Sequence, residues 1–160
     1  PWQFPEKLIP VVILKALSNQ EIPLYGDGKN VRDWLYVEDH VDALLIAATQ
    51  GEVGSKYCIG GNSELSNRQV VEMICLLLDE IHPSSEPYDH LIKLVKDRPG
   101  HDYRYAIDHS LITNELAWSP VFNFENALRK TVSWYLDNLN WCNLIRENSG
   151  YIGERLGRTI

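Results

Sequence analysis

The sequence lacks an apolar run of membrane length. Its longest helical apolar stretch, Val70 to Leu78, is interrupted by Glu72 and falls well short of the roughly 18 residues that a span requires. No secretory leader is read at the start, because Pro1-Trp2-Gln3-Phe4-Pro5 carries neither a basic segment nor an apolar one behind it. Cysteine is scarce: Cys58, Cys75 and Cys142 are odd in number, widely spaced and form no CxxC pair. That speaks against a disulfide framework or a structural zinc and predicts a reducing, cytoplasmic setting. The five histidines show no HxxxH or HxxE spacing, so no metal site is expected, and His40, His82, His90 and His109 read as surface residues. There is no Gly-x-Ser-x-Gly elbow and no cysteine in a nucleophile's setting. Basic residues are the minority, 15 against 22 acidic, for a net charge of -7. Such a balance disfavours nucleic acid as a partner but leaves room for a small anion held by two or three local cations.

What is present suits a globular α/β domain. The 160 residues are 44% hydrophobic and include five Trp and eight Tyr, enough for a substantial core. Helical spacing of Ile9, Val12, Ile13, Ala16 and Leu17 predicts a helix over 6–17, with Pro5 and Pro10 near its first turns where proline is tolerated. Ile22 to Tyr25 reads as a short strand ending at the turn Gly26-Asp27-Gly28. Trp34 to Val37 reads as a second strand, after which Asp39 is expected to cap a helix with the inward stripe Val41, Leu44, Leu45 and Ala48. Lys56 to Ile59 suggests a further strand, stopped by Gly60-Gly61.

Ser66 and Gln69 form a capping box ahead of a helical face of Val70, Ile74, Leu77, Leu78 and Ile81. A loop over 82–90 follows, then strands at Leu91 to Val95 and Arg104 to Ile107 around the turn Arg98-Pro99-Gly100-His101. Asp108 or Ser110 opens a helix ending near Trp118, and a last helix runs from about Asn123 to Asn138 with Phe124, Leu128, Val132 and Tyr135 inward. The tail over 149–160 is Gly-rich and expected to be loosely held. Mixed helices and short strands place the chain in the α/β class. The strands are too few for a complete doubly wound sheet, so residues 1–160 are expected to be one portion of a longer chain. A start without Met agrees with that.

Two familiar signatures fail. Gly26-x-Gly28 is followed by Val31 where a dinucleotide fingerprint has its third glycine. Tyr25 and Lys29 have the YxxxK spacing, but the glycines between them break the helix that would bring the pair onto one face. The strongest signal is the block from Tyr25 to His40, Tyr-Gly-Asp-Gly-Lys-Asn-Val-Arg-Asp-Trp-Leu-Tyr-Val-Glu-Asp-His. It holds Arg32, whose planar fork suits a phosphate, beside a rigid element, and offers the Tyr25 ring to a base. A surface hairpin with a solvated arginine is the plainer reading. Asp97-Arg98-Pro99-Gly100-His101-Asp102 is a second candidate, with Arg98 and His101 flanking a turn whose N–H groups suit an anion. A third is Asn67 at the start of the helix after Gly60-Gly61, where free N–H groups attract phosphate, though taken alone ordinary helix capping is the favoured reading.

Taken together, Phe-Pro-Glu-Lys-Leu-Ile-Pro (4–10), the 25–40 block, Tyr-x-Ile-Gly-Gly (57–61), Asp-Arg-Pro-Gly-His-Asp (97–102) and Gly-Glu-Arg-Leu-Gly (153–157) occur in an order that resembles the C-terminal portion of the dTDP-glucose 4,6-dehydratase family. These are extended short-chain dehydrogenases/reductases of Rossmann type. The resemblance implies a substrate-binding part whose N-terminal NAD-binding domain lies upstream, and a small-molecule nucleotide sugar as partner. It implies that Glu6, Lys7 and Leu8 lie along the nucleotide and that Pro23 and Tyr25 pack on thymine. Arg32, Asn67, Arg98 and His101 would surround the diphosphate, with Tyr151 near the sugar.

In that family NAD takes hydride from C4 of dTDP-glucose, water leaves across C5 and C6, and the hydride returns at C6. The product is a 4-keto-6-deoxy sugar that suggests rhamnose synthesis. The family's Tyr/Lys pair and acidic pair fall upstream of residue 1, so no catalytic residue is assigned here and this portion alone is expected to be inactive. The family's homodimer contact is likewise mainly upstream. A related UDP- or dTDP-sugar epimerase or decarboxylase, and a non-catalytic sugar-nucleotide sensor, are the alternatives.

Overall fold

The computed structural model describes residues 1–150. The order is α1 (Leu8–Leu17), β1 (Ile22–Tyr25), β2 (Val31–Asp33), α2 (Val37–Gln50), β3 (Glu64–Ser66), α3 (Asn67–Ile81), a 3-10 turn (Tyr88–Leu91), β4 (Ile92–Val95), α4 (Ser110–Leu116), α5 (Phe124–Asp137) and α6 (Leu139–Ser149). The mixed α/β class expected from sequence is what forms. Two small sheets result: β1 pairs β4 in parallel, and β2 pairs β3 antiparallel. The Gly-rich tail lies outside the described residues from 151 onward, and Tyr151 with it.

The main core is built where helical periodicity and caps agree. In α3, the Ser66 side chain accepts from the Gln69 N–H while the Gln69 side chain reaches back to the Ser66 N–H. That fixes the helix start and turns Val70, Val71, Ile74, Cys75 and Leu78 inward. They meet Val12, Ile13 and Ala16 of α1, Ile22 and Leu24 of β1, and Leu128, Val132 and Tyr135 of α5. Each fully buried Ile, Leu or Val there contributes about 1.5–3 kcal/mol. Pro10 sits within the first turn of α1, where no intrahelical N–H partner is required of it.

Several expectations need correction. The second strand is Val31–Asp33 rather than Trp34 to Val37. Residues 34–36 run extended without a ladder because Trp34 inserts its indole, whose N–H donates to the Leu65 carbonyl at 3.1 Å. Gly61 crosses here so closely that a Cβ would sit 1.9 Å from the Trp34 carbonyl oxygen. Asp39 is not a cap, since Tyr36 holds that place. It is a buried carboxylate in the first turn of α2, accepting from the Val121 N–H at 3.0 Å and the Phe122 N–H at 3.2 Å.

The α2 stripe faces the opposite way from the expectation. Ala43 is buried with Ile112 and Trp118 in a second, smaller cluster that Leu35 and Ile46 flank. Val37, Val41, Leu44, Leu45 and Ala48 are exposed instead. Periodicity shows that a helix has an apolar side, not which neighbour covers it. Lys56 to Ile59 forms no strand, because Tyr57 and Ile59 pack singly into the smaller cluster. Arg104 to Ile107 shrinks to one bridge between Arg104 and Val31. The pieces β3 and α6 were not anticipated.

Candidate functional site

β1 and β4 run parallel in the register Ile22 to Ile92 through Tyr25 to Val95, so both chains leave the sheet at the same edge. Ligands in α/β proteins gather beyond the carboxyl ends of such strands. Tyr25 ends β1, and the 97–102 turn follows β4. Arg98 lies over the Tyr25 ring at 5.8 Å. Pro23 and Tyr25 share the half-buried face of β1.

The turn is set by sequence. Pro99 precedes Gly100, whose φ of 66° only glycine adopts readily, and the His101 N–H donates to the Arg98 carbonyl at 3.2 Å. This folds His101 back so that its Nδ1 lies 2.6 Å from Asp97 Oδ1, with the His101 side chain only 4% exposed. Asp97 also accepts the Arg98 N–H at 2.7 Å. The His101 hydrogen bond first, then that backbone N–H, holds the Asp97 carboxyl below its ordinary pKa. Two of the N–H groups expected to serve an anion are therefore engaged inside the turn. The Arg98 side chain remains exposed, and His101 has only its Nε2 left for a ligand.

Beyond the turn, the chain zips onto β2. The Val31 N–H donates to the Tyr103 carbonyl at 2.7 Å and the Tyr105 N–H to the Val31 carbonyl at 3.0 Å. Arg104 forks onto Glu64 of β3 at 2.6 and 2.7 Å, which lowers the Glu64 pKa and fastens the same segment from its other face. Arg32 thus comes beside the 97–105 segment. Its Nη2 donates to the Asp102 carbonyl at 2.9 Å, its Nη1 to the Val31 carbonyl at 2.6 Å, and its guanidinium stacks 4.8 Å from the Tyr105 ring.

Among the described arginines, Arg68, Arg104 and Arg129 each meet a glutamate. Arg32, Arg98 and Arg146 have no carboxylate within ion-pairing distance among the described residues. Arg32 and Arg98 lie on tyrosine rings, which restricts their geometry, and Arg98 also acts at longer range on the Asp97 carboxylate.

Asn67 is the first residue of α3, but the helix start is not an open anion site. The Asn67 N–H donates to the Asn30 carbonyl, the Arg68 N–H to the Gly28 carbonyl, and the Gln69 N–H to Ser66 Oγ. Only the Asn67 side chain is left for a ligand. Asn30 also reaches the Asp102 carbonyl at 3.3 Å, so the α3 start, β2 and the 97–105 segment form one connected unit. Glu6 and Lys7 pair with each other at 2.7 Å at the head of α1, and Leu8 packs against the main core. No described contact joins these three to the arginine unit. Tyr105, Asp102 and Asn30 are members that sequence reasoning missed. Tyr105 lay in a stretch read as strand, and its alternation with Arg104 was the available signal.

Tyr25 and Lys29 stand on opposite sides of the Gly26–Gly28 turn, and Lys29 pairs with Asp27 at 2.9 Å. Rejection of the YxxxK reading stands. Among the described residues no group of His, Cys, Asp or Glu is arranged to hold a metal, and no helix is long and apolar enough to cross a membrane. A groove of about 380 Å³ between α3 and β4 is lined by Arg68, Glu72, Leu76, Asp89, Ile92 and Leu94, and neither Arg32 nor Arg98 is among its lining residues.

The sequence profile of the GDP-mannose 4,6 dehydratase family matches residues 1–131, and the chain belongs to that family. Within it the likeness is to dTDP-glucose 4,6-dehydratases. The probable dTDP-glucose 4,6-dehydratase of Sinorhizobium fredii is 53% identical over 157 residues, covering 98% of this chain and 45% of that protein. Crystal structures agree. The dTDP-glucose 4,6-dehydratase of Bacillus anthracis in complex with NAD is 45% identical with a TM-score of 0.80, over 91% of this chain and 44% of that one. The Streptomyces venezuelae dTDP-glucose 4,6-dehydratase with NAD and TYD bound is 38% identical with a TM-score of 0.80, over 91% and 43%. The chain therefore spans less than half the length of the relatives it matches.

Proposed function

We propose that this chain forms the nucleotide-sugar-binding part of an NAD-dependent dTDP-glucose 4,6-dehydratase, a lyase yielding the 4-keto-6-deoxy sugar. The observation that carries the reading is that Arg32 and Arg98, neither within ion-pairing distance of a carboxylate, are both fixed on tyrosines and joined through the 97–105 segment. Two planar cations suit the diphosphate of a nucleotide sugar. His101, held by Asp97, and the side chain of Asn67 complete the donor set. Pro23 and Tyr25 offer the face for thymine. Glu6, Lys7, Leu8 and Tyr151 are assigned to the rest of the ligand on the resemblance alone.

The described residues do not form a dinucleotide cradle, since Gly26-x-Gly28 leads into β2 and not into a helix. NAD binding and the catalytic groups are accordingly assigned to parts of the full-length protein outside these residues. The exposed apolar face of α2 supports a further protein layer there. The role of this chain's own residues is to bind and orient the diphosphate.

Calorimetric titration of the full-length protein with dTDP and with UDP tests the reading. Preference for dTDP is expected. Arg32→Ala should weaken dTDP binding about 10- to 150-fold, the equivalent of losing one charge-assisted hydrogen bond. Tighter binding of UDP would reassign the protein to the UDP-sugar epimerases or decarboxylases. Binding of dTDP-glucose without formation of a 4-keto sugar would identify a sensor.

A further inference from the structure

We infer that Tyr105 is a positioning residue for Arg32, acting by stacking on the guanidinium and by holding the side-chain carboxylate of Asp102, the residue whose main-chain carbonyl Arg32 already touches. The inference rests on the diphosphate reading of Arg32 above. Arg32 donates one hydrogen bond to the main-chain carbonyl of Asp102, so the Asp102 side chain starts from the residue the guanidinium already touches. Here Asp102 Oδ2 accepts from the Tyr105 hydroxyl at 2.5 Å.

The same tyrosine lays its ring under Arg32. One side chain thus supports the cation and diverts the anion. Two of the five guanidinium N–H groups go to carbonyls, which leaves three for a ligand.

The arrangement is held from behind. Tyr105 is fixed by its own N–H to Val31, and Arg104, pointing to the other side, is clamped to Glu64. The Tyr105 ring is 55% exposed, and it is no part of either buried cluster. A purely structural role in the core does not explain it.

The test is dTDP binding by the full-length protein and its variants, with thymidine, which has no diphosphate, as the second probe. Tyr105→Phe keeps the ring and releases Asp102. Pairing of Asp102 with Arg32 then competes with the ligand, and dTDP affinity is expected to fall about 3- to 5-fold, the scale of an exposed ion pair. Thymidine affinity stays within twofold. Adding Asp102→Asn to Tyr105→Phe restores dTDP affinity to within twofold of wild type, and Tyr105→Phe has no further effect in an Arg32→Ala background.

An unchanged Kd for Tyr105→Phe, or a loss that Asp102→Asn does not relieve, overturns the inference while leaving the function reading in place. Failure of the wild-type protein to bind dTDP overturns both. Equal unfolding midpoints for Tyr105→Phe and wild type are expected alongside, and a lowered midpoint that tracks the lost affinity would make Tyr105 a structural residue only.

Discussion

Replacing Gly61 by alanine should be among the most damaging single-methyl changes in this chain. The added Cβ would stand 1.9 Å from the Trp34 carbonyl oxygen and 2.7 Å from its carbon, against a 3.0 Å limit for real contacts. Both obstacles are backbone, so a rotamer change offers no relief, and the two segments must separate by about 1 Å. Separation breaks the hydrogen bonds by which the Gly61 and Ser63 N–H groups reach the Asp33 carboxylate, at 2.9 and 2.8 Å. Hydrogen bonds to a charged group contribute about 1.5–3 kcal/mol each, so a loss of about 3–6 kcal/mol is expected for the two. That is a large share of the roughly 5–15 kcal/mol that stabilises a domain.

Urea unfolding followed by tryptophan fluorescence measures it. Gly54→Ala is the control: its φ is 92°, but nothing lies within 4 Å of the new Cβ, so only backbone strain of about 1–2 kcal/mol applies. A Gly61→Ala variant no less stable than Gly54→Ala would refute the steric reasoning. Because Asp33 adjoins Arg32, dTDP affinity should fall in Gly61→Ala as well.

Asp39→Ala leaves the Val121 and Phe122 N–H groups without their acceptor and should cost about 2–4 kcal/mol in urea unfolding; Asp39→Asn, which keeps one oxygen, should cost about half. A thiol reagent at pH 8 should label only Cys58 in the native protein and all three cysteines in urea, since Cys75 and Cys142 are buried and burial pushes the Cys75 thiol up to about 12. Rapid native labelling of a second cysteine would contradict the core packing. The Asp97 carboxyl lies below its ordinary value of 3.8 in the folded state. Its contribution is therefore whole above that pH and is lost as the pH falls through the folded value. Stability measured from pH 6 to pH 2.5 should show wild type and Asp97→Asn converging at the acid end. A constant difference across the range would exclude the linkage.

How much was legible beforehand depended on whether a signal was local. The helices α1, α3 and α5 announced themselves through caps and spacing, and the Ser66/Gln69 box formed as read. The helix α2 showed its apolar stripe equally well, yet buried Ala43 and Asp39 instead, because which side meets a neighbour is decided by tertiary packing. Strands of three or four residues are too short to show alternation, so β3 passed unnoticed and residues 34–37 were misread. Arg98 and His101 could be placed by turn chemistry, Pro99 and Gly100 dictating the bend. The Asn67 helix start could not, since the carbonyls that fill it, from Gly28 and Asn30, belong to a distant loop. The link between Tyr105 and Arg32 is of the same non-local kind.

The parallel pairing of β1 with β4 has a kinetic consequence. Ile22 and Ile92 stand far apart in sequence, and their pairing closes a long loop, as does the packing of α3 on α1 and α5. Closing so long a loop carries an entropic cost that is recovered late, and pairings of high sequence separation form slowly. The contact of Tyr25 with Arg98 depends on that closure. Ligand affinity therefore reports completion of the long-range pairing more directly than helical signal does.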